Sequence, residues 1–173
     1  MAGKKMDFRL APMTFADAQA VAHWHYEGLY AVSDWENDPD MLGDFLRWPD
    51  LYYSVRDAGN DLVGFAQFVR LQRDTNTLSA IWGLHPDLIG NGHGMAFVES
   101  CLTYGQTRYK PLRFTLGVWA FNQRGRRVYE QVGFKVMRVF NSETRFGVLE
   151  FMEMMREQTS PKPNETAFKT EKM

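Results

Sequence analysis

Apolar and polar positions alternate with a period of two in six or seven stretches of this chain, and with helical spacing in at least three others. Residues 8–13 read as a first strand. Thr14 follows as an N-cap, with Asp17 in the capping-box position three residues on. Ala18, Val21, Ala22 and the run from Trp24 to Tyr26 then extend a first helix. Residues 27–50 are irregular or hold a short second helix over 39–46. Residues 51–57 and 62–71 form two apolar runs around Gly59-Asn60, a hairpin signal. Asp74-Thr75-Asn76 turns the chain into a further strand over 77–84.

A Gly-rich loop comes next, Gly90-Asn91-Gly92-His93-Gly94, and opens a helix over 95–109. Met95, Val98, Cys101, Leu102 and Gly105 recur along that helix at its period, and Pro111 closes the unit. A strand over 113–120, a short helix over 123–132 stopped by Gly133, and strands over 134–140 and 146–154 complete the order β-α-(α)-β-β-β-α-β-α-β-β. This is a mixed α/β (α+β) chain, antiparallel in its N-terminal strands and crossing over later. From Glu157 the composition turns polar, with two Pro, so the expectation is one domain over 1–156 and a flexible tail over 157–173.

Composition narrows the function mainly by exclusion. A length of 173 residues suits one domain, and 13 Phe, 7 Tyr and 5 Trp supply its core. A formal net charge of −1 gives no general attraction for nucleic acid or membranes. One Cys rules out an internal disulfide framework, and four His without ligand spacing argue against a metal. No apolar run reaches the roughly 20 residues that span a bilayer, and the basic N-terminus lacks the apolar stretch of a secretory signal. A reducing, cytoplasmic setting is the expectation.

Strand, Gly-rich loop and helix over 77–109 carry the strongest chemical signal. A helix start offers unpaired N–H groups and the positive end of its dipole, and glycines let an anion approach the backbone. A phosphate or diphosphate is the expected guest; a plain tight turn is the alternative. The absence of Gly-Lys-Ser/Thr disfavours a P-loop, and the loop's place after an antiparallel meander disfavours a dinucleotide fold.

The run Ile89-Gly90-Asn91-Gly92-His93-Gly94 after the fourth strand resembles the signature of the GNAT superfamily of N-acyltransferases, with Ile89 where the family carries Arg or Gln. A second stretch resembles the same family: Asn122 after a strand, an Arg-rich helix containing Tyr129, then Gly133-Phe134. The resemblance spans residues 8–154. It implies a twisted mixed sheet flanked by helices and transfer of an acyl group from acetyl-CoA to a primary amine by direct attack. It further implies that the N–H groups of Ile89, Gly90, Asn91, Gly92, His93 and Gly94 hold the diphosphate of coenzyme A. Leu84 would serve the pantetheine arm and the developing oxyanion, Asn122 would bind the pantetheine or acyl end, and Tyr129 would protonate the leaving thiolate. Two of these side chains have plainer roles open to them: Asn122 as a helix cap, Tyr129 as packing with Val128 and Val132.

Charge is distributed unevenly. Eight basic residues and one acid lie between Arg108 and Arg138, and Arg124, Arg126 or Arg127 are candidates to meet cofactor phosphates, Arg126 among the expected cofactor residues. Residues 27–50 carry seven acids against Arg47, interleaved with Tyr30, Trp35 and Trp48, a pattern suited to a cationic amine. Glu27, Asp34 and His85 are the candidate general bases, as is a water relay. The buried stripe position of Cys101 argues for packing rather than nucleophilic chemistry. A non-catalytic acyl-CoA-binding module is the rival reading, because no base stands in a distinctive motif; a nucleotide or phosphosugar binder is a third. The amine acceptor is left open between a small molecule and a peptide, and the aromatic-rich segment 27–53 is a candidate homodimer interface.

Overall fold

The computed structural model describes residues 6–159. Its elements run β1 (Arg9–Pro12), α1 (Phe15–Ala22), two 3-10 turns (Gly28–Ser33 and Trp35–Asn37), α2 (Pro39–Arg47), a third turn (Pro49–Leu51), β2 (Tyr52–Arg56), β3 (Leu62–Arg70) and β4 (Thr77–Leu84). A turn at Pro86–Leu88 leads to α3 (Gly94–Tyr109), β5 (Arg113–Trp119), α4 (Gln123–Gln131), β6 (Lys135–Thr144) and β7 (Gly147–Glu157). The order of strands and helices is the one the periodicity predicts. The seven strands form one sheet in the order β1-β2-β3-β4-β5-β7-β6, and only the β4–β5 pair is parallel.

Strand alternation sorts the side chains onto two faces. Tyr53, Val55, Ala66, Phe68, Leu78, Ala80, Phe114, Leu116, Val118, Met152 and Met154 meet Phe97, Val98, Cys101 and Leu102 of α3 in the main core. Each fully buried side chain of this size contributes about 1.5–3 kcal/mol. On the other face a smaller core, including Val21, Trp35, Phe45, Tyr52 and Phe65, covers β2 and β3. Beyond it the sheet is open: Ile81 and Gly117 are exposed, and Ser79, Thr115, Glu153 and Met155 are half-buried.

Three departures from the expected boundaries have local causes. Helix α1 stops at Ala22 rather than 26, because the Asp34 carboxylate takes the Tyr26 N–H at 2.9 Å and turns the chain. Thr14 caps α1 by accepting from the Asp17 N–H at 3.1 Å, while the Asp17 carboxylate reaches Ser54 at 2.7 Å and Arg56 at 2.6 Å. The β6–β7 hairpin runs on to Thr144 and Gly147, through Asn141-Ser142-Glu143, whose polarity suits an edge strand. Ordered pairing also continues past the expected start of the tail: the Gln158 N–H donates to Leu112 at 2.8 Å. The rest of that tail, from residue 160, lies outside the described residues, in which no helix is long and apolar enough to cross a membrane.

Segment 27–53 buries Trp35, Phe45 and Tyr52 within the monomer and leaves Leu29, Leu46 and Trp48 exposed. More apolar surface lies on the edge hairpin, where Val136, Met137, Val139, Phe140 and Val148 are exposed.

Candidate active site

The parallel ladder between β4 and β5 has four rungs, from Thr77↔Arg113 to Ala80↔Leu116. Past it, β4 follows β3 as far as Gly64↔Leu84, and β5 follows β7 as far as Trp119↔Phe151. The two strands therefore part, and a gap opens in the sheet. Antiparallel pairing makes alternate residues point their backbone groups at the same neighbour. The bonds Leu71 N–H to Thr77 and His85 N–H to Val63 assign the odd-numbered positions of β4 to β3. Trp82 and Leu84 accordingly turn their N–H and C=O groups towards the gap. The Leu84 carbonyl accepts from Tyr26 Oη at 2.9 Å, which leaves its N–H and the Trp82 groups open.

The Gly-rich loop lies at the mouth of that gap. Gly90 and Gly92 have φ of 82° and 81°, a left-handed conformation that glycine adopts without strain. Ile89 spends its N–H on the Pro86 carbonyl at 3.2 Å, so the expectation that it joins the cradle is corrected: the open donors begin at Gly90. From Gly90 to Ala96 no backbone N–H makes a well-formed hydrogen bond to an acceptor among the described residues, and the first helical bond is Phe97 to His93 at 3.0 Å. A Cβ on Gly92 would meet nothing within 4 Å. Seven consecutive unpaired donors, counted from Gly90 to Ala96, at the start of a 16-residue helix form a seat for an anion.

Arg124 hangs over this seat. Its Nη1 would lie 3.3 Å from a Cβ on Gly90, and its guanidinium sits 4.8 Å from the Tyr30 ring centre. It has no carboxylate partner among the described residues. Arg126, the arginine expected here, instead points along the helix to Glu130 at 3.7 Å and stays out of the cavity wall, a correction set by the phase of α4. Asn122 caps α4, accepting from the Gly125 N–H at 2.9 Å, and its side chain also lines the cavity.

Tyr129 projects from α4 into the gap, where its Oη accepts from Trp82 Nε1 at 3.1 Å. Burial raises the phenol above its usual pKa, and the Trp82 bond opposes that shift only in part. The group therefore stays protonated at neutral pH, and its hydrogen has no protein acceptor among the described residues. It also packs edge-on against Phe134, with ring centres 6.1 Å apart, so the packing role is present alongside.

Loop, gap and Tyr129 open into one cavity of about 720 Å³ that passes through the sheet from the α3 face to the open face. The two expected bases are not in its wall. Asp34 is buried and bonded to the Tyr26 N–H and to His25 Nδ1, the latter at 3.3 Å. Glu27 is exposed at the start of the first 3-10 turn. His85 lies aside, its Nδ1 accepting from the Asp87 N–H at 3.2 Å. The carboxylates that do line the cavity are Asp38, one of the acids of segment 27–50 read as suited to a cationic amine, and Glu153, which local sequence reasoning missed, as it missed Tyr26 and Trp82. His25, Asp34 and Glu36 bring ligand-type atoms within 4.8 Å of one another, an arrangement the anchoring of Tyr26 by Asp34 already explains.

The acetyltransferase (GNAT) domain model matches residues 7–135, which include the gap, the loop and the helix bearing Tyr129. The chain belongs to the GNAT acetyltransferase family. Enzymes of this family draw the acetyl group from acetyl-CoA. The fold recurs in a chimera of the Vibrio cholerae spermidine N-acetyltransferase SpeG with hSSAT, at 16% identity and TM-score 0.72, over 87% of this chain and 95% of that one. It recurs in the Vibrio cholerae spermidine N-acetyltransferase in complex with CoA and spermine, at 15% identity and TM-score 0.67, over 87% and 95% of the two chains. A GNAT-family acetyltransferase from Bacillus anthracis aligns at 19% identity and TM-score 0.63, over 89% and 96%. No curated protein matches the chain.

Proposed function

We propose that this GNAT enzyme acetylates a primary amine by direct attack, without a covalent enzyme intermediate. The observation that carries the reading is a single cavity joining an open row of N–H donors to an unzipped pair of strands and a protonated tyrosine. The residues present fit acetyl-CoA. Donors from Gly90 to Ala96, with Arg124 above them, suit a diphosphate. The open groups of Trp82 and Leu84 suit the amide-bearing pantetheine arm and the acyl oxygen. When bound, acetyl-CoA supplies the activated acyl group and a thiolate leaving group.

Tyr129 holds the proton that the departing sulfur needs. Its phenol is kept neutral by burial and oriented by Trp82, and its hydrogen is free to be given away. On the open face, Tyr26, Tyr30, Trp35 and Trp119 with Asp38 and Glu153 make an aromatic and acidic approach suited to a cation. That a fold neighbour was solved in complex with CoA and spermine supports an amine as the acceptor. We place the reaction in the cytoplasm, where the single buried Cys101 stays reduced.

The test is thiol release from acetyl-CoA in the presence of mono-, di- and polyamines, amino acids and peptides. Turnover that depends on one amine class is expected. Coenzyme A binding without turnover by any amine would favour a non-catalytic binding module, and no coenzyme A binding would overturn the cradle itself.

A further inference from the structure

We infer that Glu153 receives the acceptor's ammonium group and takes its proton, and that the incoming amine displaces Arg138 from it. The inference rests on the reading above and adds the base that the expected candidates do not supply.

Sheet register puts Glu153 in place. Met152 and Met154 point into the main core, so Glu153 between them points to the open face. Its cross-strand partner is Gly117, where the Phe151 ring fills the side-chain space: a Cβ there would collide with that ring. Ser79 pairs with Thr115 beside it, and among the described residues neither hydroxyl has a hydrogen-bond partner. Ser79, Thr115 and Glu153, interleaved with Ile81, Trp119 and Phe151, thus form the cavity wall over β4, β5 and β7, with Glu153 as its carboxylate.

The other carboxylate in that wall is already engaged. Asp38 caps α2, accepting from the Asp40 N–H at 3.2 Å, and the positive end of that helix stabilises its charge. Among the described residues Glu153 is held only by Arg138, at 2.8 Å, and both side chains are about half exposed, at 46% and 63%. Exposed ion pairs of this kind are weak and easily exchanged. The Arg138 guanidinium lies over the Phe140 ring at the same time, 4.7 Å from its centre, a cation–π contact that does not depend on Glu153. An alkylammonium can therefore replace one cation with another at Glu153.

The proton count closes. Glu153 takes one proton from the ammonium and passes it to solvent, which frees the nitrogen's lone pair to form the bond to the acyl carbon, and then takes a second proton from the nitrogen that this bond has acidified. The carbon–sulfur bond breaks, and the sulfur leaves with the Tyr129 proton. Tyr129 regains a proton from solvent, Glu153 releases its own, and one proton per turnover passes to the buffer from a charged amine.

The experiment measures amine acetylation and coenzyme A affinity for wild type, Glu153→Gln and Arg138→Gln. Glu153→Gln should lower kcat/KM for the amine by about 100-fold or more while coenzyme A Kd stays within about threefold. Arg138→Gln should act in the opposite sense and lower the amine KM, which a merely structural ion pair would not do. If Glu153→Gln matches wild type, or if Arg138→Gln raises KM as Glu153→Gln does, the assignment is overturned while the acetyltransferase reading stands. A wild type that turns over no amine overturns both.

Discussion

Replacing Gly92 by Glu tests the cradle, because the structure separates the two effects of the change. At a φ of 81° any L residue is strained, by about 1–2 kcal/mol, and Ala suffers this as much as Glu. Nothing lies within 4 Å of the added Cβ, so Gly92→Ala should lose stability but keep the donor row accessible. Glu adds one negative charge at the seat. Two unit charges about 4 Å apart repel by roughly 1 kcal/mol in bulk water and roughly 4 kcal/mol near a protein surface. Against a diphosphate, Gly92→Glu should therefore bind coenzyme A some 10- to 1,000-fold more weakly than Gly92→Ala, as measured by calorimetry. The gap should narrow in about 1 M salt, where the screening length falls to about 3 Å. Equal affinities for the Ala and Glu variants at low salt would refute an anion seat at this loop; a gap insensitive to salt would make the effect steric.

Tyr129→Phe should slow turnover by about 10²–10⁴-fold with little change in coenzyme A affinity, and equal rates would remove the phenol from the chemistry. Because burial raises this phenol, an alkaline fall in kcat owed to it should begin only above the ordinary tyrosine value of about 10 and be absent from the Phe variant. Arg124→Ala should weaken coenzyme A binding by about 10- to 100-fold and Arg126→Ala by less than about threefold; the reverse order would restore the arginine the sequence favoured. Burial acts to raise the Asp17 carboxyl, but hydrogen bonds from Ser54 and Arg56 outweigh it and hold the group below its usual range. That stability is present above the unfolded value of about 3.9 and fades as pH falls through the lower folded one. Asp17→Asn should therefore cost about 1.5–3 kcal/mol at pH 7 in urea unfolding and less at about pH 3; equal losses at both would count against the carboxylate.

What the sequence made legible, and what it did not, divides by the range of the physics involved. The cradle is local: alternate glycines before an apolar helical stripe specify a turn with positive φ and a helix start, and β4, the loop and α3 fall where the pattern put them. The Thr14 cap and the stop at Gly133, with φ of 97°, are equally local. The end of α1 is not, since it depends on a carboxylate from Asp34 that no helical rule anticipates. The arginine at the cradle was within reach of local reasoning. Arg124 and Val128 stand one turn apart and share a helix face lining the cavity, whereas Arg126 is in phase with Glu130.

The acceptor half of the site is a matter of register. Segment 27–50 reaches the cavity through Tyr30, Trp35 and Asp38, but the expected bases Glu27 and Asp34 stay out of its wall, and parity along the strands supplies the second carboxylate. Once β5 and β7 pair through Gly117↔Glu153, every second residue on both strands looks onto the open side of the sheet, and a carboxylate some 24 residues after Tyr129 joins the same cavity. A one-residue slip would bury Glu153 in the core and turn Met152 or Met154 out to the amine. The apolar pattern Met152-x-Met154 that anchors the last strand in the core thus also turns the residue between them to the cavity wall.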